Sequence, residues 1–182
     1  MNYAKFGLYI GERIERMTPA QQWRFFCGML NGTNYVGGKE NLDESDCSGV
    51  VSFALVCMGY SIRATSDALY QKLFIHNAVE HWDDPERILA VFCALKGEGD
   101  HYGVHRPAGF VTHVAPVIGE GVVLHAHGTT RLNMPVTSKW LYDYYKTTHR
   151  VEWREIDMGL LSLHSNARDL VHGIDAELLR LM

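Results

Sequence analysis

The chain has 182 residues, with 17 Lys and Arg against 21 Asp and Glu, a net charge of −4 and 47% hydrophobic residues. That length suits one domain, 1–182, with its own apolar core, and the composition excludes a disordered chain. The acidic balance and the absence of a basic run exclude a nucleic-acid footprint, and the longest apolar run, 50–58, is too short to span a bilayer.

Residues 3–17 carry Phe6, Tyr9, Ile10, Ile14 and Met17 at helical spacing. Thr18-Pro19 reads as the cap and first position of a second helix, which runs through Trp23, Phe26 and Leu30 to Asn31-Gly32. Residues 31–46 are loop-like. From Cys47 a helical pattern returns through Val50, Val51, Ala54, Leu55 and Met58, closed by Gly59. A short helix follows, capped by Thr65 or Ser66. Beyond Asp84-Pro85 the pattern changes to strands at 88–95, 110–118 and 122–127, the last two joined by a tight turn at Gly119-Glu120-Gly121. A helix at 138–146 and a strand at 151–156 are expected next. Leu170, Val171, Ile174, Leu178 and Leu181 form one stripe, so 158–182 reads as a C-terminal helical extension. Helices first and then a meander of antiparallel strands give an α+β class, with the N-terminal helices packed on the sheet.

Chemistry concentrates at Asp46-Cys47-Ser48-Gly49, where a glycine-rich loop meets an apolar helix. A cysteine there meets unpaired backbone N–H groups and the positive end of the helix dipole, which favour the thiolate. The same N–H groups suit a developing oxyanion. Cys27, Cys57 and Cys93 lie inside apolar patterns, and no pair has C-x-x-C spacing. A thiolate nucleophile needs a base. His113 and His125 lie on the predicted hairpin, and a three-residue turn, at 118–120 or 119–121, puts them on one face, toward the Cys47 helix. A two-residue turn separates them. His127 shares the parity of His125. His101 and His105 sit in a glycine-rich loop and read as solvated. His76, His81, His149, His164 and His172 read as surface or satisfied residues.

Asp46-Cys47-Ser48-Gly49 followed by the H-V-A-x-V-I-G-x-G-x-x-x-H-A stretch from His113 resembles the NlpC-type cell-wall cysteine peptidases. Tyr35-Val36-Gly37-Gly38 resembles that family's Tyr-x-aromatic-Gly-Gly element, one residue short. The stretch from Gly59 to Gln71, with Arg63-Ala64-Thr65-Ser66, and the strand 88–92 are similar to further family segments. The resemblance covers roughly 28–128, behind the helices of 3–30. The loop 96–109 is longer than the family's, and the last 50 residues have no counterpart.

The resemblance implies a papain-like core without a cofactor or metal, with Cys47 as nucleophile, His113 as base and His125 as orienting member. It implies that Tyr35 serves the oxyanion or substrate, and that Asp46 and Ser48 bind the amino end of the substrate. For Asp46 a plain helix cap is the competing reading, and for Ser48 helix-start packing. The activity implied is hydrolysis of peptidoglycan stem peptides at the γ-D-glutamyl–diamino acid bond, at the cell wall or periplasm. With charges at Lys5, Glu12, Arg13, Glu15 and Arg16 leaving no apolar leader core, delivery by phage, by a secretion system or after leader removal is expected. The other readings are an amidase or acyltransferase on another amide, a zinc hydrolase using His113, His125 and His127, and a non-enzymatic phage or secretion component.

Overall fold

The helix that begins at Cys47 is apolar all round, and that decides where it sits: such a helix must be covered on every side. The computed structural model describes residue 11 and residues 13–60, 62–127 and 131–160, with only the backbone of His127. Helix α1 (Pro19–Met29) starts with a capping box, in which Thr18 and Gln21 satisfy each other's backbone N–H groups. Helix α2 (Cys47–Cys57) has Val50, Val51, Ala54 and Leu55 fully buried between α1 and the sheet. Helix α3 (Ser66–Lys72) is capped by Thr65, whose hydroxyl accepts from Ala68 N. Gly59 closes α2 at φ 93°, a conformation that costs other residues a steric penalty.

Ten strands lie among the described residues. They are β1 (Asn34–Tyr35), β2 (Glu44–Ser45), β3 (His76–Asn77), β4 (Leu89–Leu95), β5 (Gly99–His101), β6 (Val104–Arg106), β7 (Val111–Gly119), β8 (Val122–His127), β9 (Leu132–Thr137) and β10 (His149–Glu155). Eight of them form one sheet in the order β2-β1-β9-β8-β7-β4-β10-β3. The expected meander is present from β4 through β7 and β8 to β9, with β10 returning to the far side of β4. The β1–β2 pair is parallel and ends the sheet. β5 and β6 form a separate hairpin inside the long loop. Strand β9 was not read from the sequence, because Pro135 and two exposed apolar residues, Leu132 and Met134, break the usual alternation.

Strand β4 shows how the two cores divide. Ala90, Phe92 and Ala94 face the helices α1–α3, whereas Leu89, Val91 and Cys93 face the other side, where helix α4 (Ser138–Tyr145) contributes Leu141 and Tyr145. The near-continuous apolar run at 88–95 is what a strand covered on both faces requires. The helix expected over 3–17 is described at residue 11 and from Arg13, where its last turn ends at Arg16 and Met17. Met158–Leu160 forms a single 3₁₀ turn, and the rest of the expected C-terminal helix lies outside the described residues. Among the described residues no helix is long and apolar enough to cross a membrane.

Candidate active site

Asp46 caps α2 with both carboxylate oxygens engaged. Oδ1 accepts from Gly49 N at 2.6 Å and from Ser48 Oγ at 2.9 Å, and Oδ2 accepts from Gly38 N at 2.5 Å. The carboxylate therefore straps the 37–46 loop to the helix start. Asp46 N in turn donates to Lys39 O at 3.1 Å. Glycine at 49 follows from this crossing, because a Cβ there would lie 1.9 Å from Lys39 O. The far side of the loop is fixed by the buried Asn133 of β9, whose Nδ2 donates to Ser45 Oγ at 2.5 Å and Thr33 Oγ1 at 2.7 Å.

The strap sets the sulfur of Cys47 at the first position of α2, 9% exposed and 3.3 Å from Ser66 Oγ. Burial is the largest influence on this thiol and pushes it above its ordinary value. The Ser66 hydroxyl pulls down, the Asp46 charge pushes up, and the Val114 and Ser48 backbone N–H groups pull down. The helix terminus thus does less than its position in the sequence suggests: desolvation outweighs the N–H groups. Without a proton acceptor this thiol stays protonated at neutral pH. Cys27 and Cys93 are pushed up by burial, and Cys57 is pushed up to about 12 by burial alone.

The two histidines of the hairpin are brought together by a route different from the one expected. The strands are joined by a two-residue turn, Glu120-Gly121, with Gly119 paired to Val122. Alone, that turn would put His113 and His125 on opposite faces. Val117 pairs with Val123, however, so Ile118 is an extra residue in β7, and this bulge restores the shared face. His113 Nε2 and His125 Nδ1 are 3.0 Å apart, with the rings edge to face. Both are buried. The pair lies on the α4 side of the sheet, against Tyr145 and Trp140, whereas Cys47 approaches from the helix side beside Val114.

A cavity of about 410 Å³ receives both Cys47 and His113. Tyr35 lines it, and its hydroxyl meets that of Tyr102. Burial and that hydrogen bond hold the Tyr35 phenol above its ordinary value. Tyr102 and Gly103 form the tip of the β5–β6 hairpin, both at positive φ. The long loop is thus a built wall of the site. It also brings in His101, which the sequence reading left in solvent. His101 is held below its ordinary value by burial and then by Arg106. His105 stays exposed, 3.3 Å from Asp100 and 3.6 Å from Glu98.

His149, expected as a surface or satisfied residue, is satisfied, with Nε2 3.0 Å from Thr112 Oγ1 and Nδ1 2.8 Å from Thr148 Oγ1, and it also lines the cavity from the start of β10. Burial and then His101 hold it below its ordinary value. Tyr145 and Ser66 were missed as neighbours of the site. No local motif signals Tyr145, which arrives from a distant helix. Ser66 stood in a recognised stretch, but only folding shows what its hydroxyl touches. Among the described residues no three His, Cys, Asp or Glu side chains gather as a metal-binding group; the His127 side chain lies outside them.

The sequence matches no protein-family model and no curated protein. Solved structures do match the fold. NlpC1 from Trichomonas vaginalis aligns at TM-score 0.52 and 20% identity over 76% of this chain and 43% of that one. NlpC2 from the same organism aligns at TM-score 0.52 and 18% identity, covering 75% and 46%. A lipoprotein-like member of the NLP/P60 family from Staphylococcus aureus aligns at TM-score 0.52 and 16% identity, covering 74% and 40%. The chain spans less than half the length of each of these structures. With helices α1–α3 packed on one face of a mainly antiparallel sheet, α4 on the other, and Cys47 at the head of the central helix, this chain has the papain-like α+β fold of the NlpC/P60 type.

Proposed function

We propose that this protein is a cysteine peptidase that hydrolyses peptidoglycan stem peptides at the bond between γ-D-glutamate and the diamino acid, acting at the cell wall or periplasm. One observation carries the reading: Cys47 and His113 face one cavity while His113 Nε2 is bonded to His125 Nδ1. In this reading His113 serves the thiol through Nδ1, and His125, bonded at Nε2, is the group that orients the base.

In this mechanism His113 accepts the Cys47 proton, and the sulfur attacks the scissile carbonyl. The negative oxygen of the tetrahedral intermediate meets backbone N–H groups at the head of α2, with Tyr35 beside it. The intermediate collapses as the diamino-acid amine leaves with the proton from His113, and the acyl group stays on sulfur as a thioester. Water then attacks that thioester, His113 takes the water proton, and the γ-D-glutamyl carboxylate is released as Cys47 regains its proton. Asp46 and Ser48 are the groups proposed to meet the free amino end of the stem. Three of the roughly four acceptor positions of a carboxylate are already used at Asp46, so one remains for an ammonium group.

The test is mass analysis of defined muropeptides incubated with the protein. Release of L-Ala-γ-D-Glu, abolished by Cys47→Ala, is the expected result. Intact stems, or cleavage at another bond, overturn the assignment.

A further inference from the structure

Helix α4 presses an aromatic face onto the imidazole pair. The Tyr145 ring lies nearly parallel to that of His113, with centroids 5.4 Å apart and 21° between planes. His149 at 5.0 Å and 83°, Tyr144 at 4.9 Å and 78° and His125 at 6.4 Å and 74° meet the Tyr145 ring edge-on instead. Tyr145 is itself held hard. Leu141, one turn earlier, is fully buried, and Thr137 caps α4 by accepting from Trp140 N at 3.1 Å. His149, behind the ring, is tied through Thr112 to the strand that carries His113.

We propose that Tyr145 is a positioning residue for His113: its ring face fixes the plane of the imidazole and favours the protonated form, so that α4 sets how much of Cys47 is thiolate. The proposal rests on the reading of Cys47 and His113 as nucleophile and base. Burial works against an imidazolium, and the electron-rich face of a stacked phenol works for it. The phenol is neutral throughout, held far above its ordinary value by burial and then by Cys93. The other titratable groups around His113 divide simply. Cys93 from β4 is a buried thiol, and His125 from β8 is its hydrogen-bonded neighbour. His149 from β10 and His101 from the hairpin are held toward the neutral form by burial. Cys47 from α2 and Tyr35 from β1 line the cavity, and Asp100 is the one carboxylate on its wall among the described residues.

The experiment is the pH dependence of Cys47 alkylation by iodoacetamide in the full chain, which needs no peptide substrate. In the parent protein the rate should show a plateau near neutral pH. His113→Ala should abolish it. Tyr145→Leu should lower it about three- to tenfold, with the rate recovering in alkaline solution as for an ordinary thiol. Tyr145→Phe should keep the parental profile, because the ring face is retained. If Tyr145→Leu does not fold, phenylalanine bearing one, two and three fluorines at position 145 keeps the shape and weakens the face step by step. A stepwise fall of the plateau supports the proposal, and a flat series overturns it. An unchanged profile in Tyr145→Leu, or equal loss in the Leu and Phe variants, also overturns it. A protein that leaves muropeptides intact yet shows the expected alkylation pattern loses the peptidase reading and keeps this one.

Discussion

His113 Nε2 and His125 Nδ1 lie 3.0 Å apart because Ile118 is an extra residue in one of the two strands that carry them. A strand presents alternate residues to alternate faces, so one inserted residue reverses every side chain beyond it. Deletion of Ile118 should therefore separate the two rings and abolish activity while the sheet still forms. Crystallography or histidine NMR of the deletion variant would show whether the contact is lost; a retained contact with full activity contradicts this account of the register. In the intact hairpin, His113→Ala should cost more activity than His125→Ala, since the orienting member leaves the base in place. His125→Ala leaves a buried ring nitrogen of His113 without this partner, at a stability cost of about 1–3 kcal/mol.

Asp46 is more than a cap that asparagine can replace. Both oxygens accept, one from Gly49 N and Ser48 Oγ and the other from Gly38 N. An asparagine amide can place only one oxygen, so its NH₂ group must face a donor on one side. Asp46→Asn should thus destabilise the fold by about 1–2 kcal/mol, with the 37–46 loop loosened, and Asp46→Ala by at least as much. Denaturant midpoints for the two variants check this. Parental stability in Asp46→Asn would mean that the Gly38 contact contributes nothing.

Gly49→Ala should be among the most damaging single-methyl additions in the chain. The added carbon would lie 1.9 Å from a backbone oxygen, that of Lys39, which cannot rotate away as a side-chain tip can. A loss of about 3 kcal/mol or more is expected, read from thermal or denaturant unfolding. A modest loss with activity retained would show that the 37–46 loop can move off the helix.

Labelling should find Cys47 first among the four cysteines. Cys27 and Cys93 are fully buried, and Cys57, pushed up to about 12, is closed within the helix core, whereas Cys47 opens on the cavity. Peptide mapping after brief iodoacetamide treatment at neutral pH should return one modified cysteine, Cys47, together with loss of activity. In His113→Ala the burial that raises this thiol is no longer offset by a base. The labelling rate should then fall about tenfold for each pH unit below the thiol pKa. First labelling of Cys27 or Cys93 would count against the nucleophile assignment.

Much of this protein is written locally. The Thr18-Pro19 start of α1, the Asp46 cap and Gly59 stop of α2, the Thr65 cap of α3 and the doubly buried strand at 88–95 follow from capping, propensity and apolar period, which involve residues within a turn or two of each other. The pairing of Cys47 with a hairpin histidine as candidates was legible for the same reason: helix-start chemistry and strand parity are short-range properties. The parity argument put the two histidines on a shared face, but through the wrong turn, because a bulge leaves no mark in composition, and that face is the α4 side of the sheet rather than the side of the Cys47 helix.

What only the tertiary structure decided are the encounters between distant segments. Tyr145 and His149 come from a stretch that carries no motif in the sequence, and Tyr145 meets both His113 and His149 because β10 returns beside β4 and α4 folds under the sheet. The loop at 96–109 became a wall because Tyr102, at its tip, reaches Tyr35 across the cavity. The balance at the nucleophile was also decided there. A helix terminus promises a thiolate, but the desolvation that opposes it depends on everything packed around Cys47, and no window of sequence contains that sum.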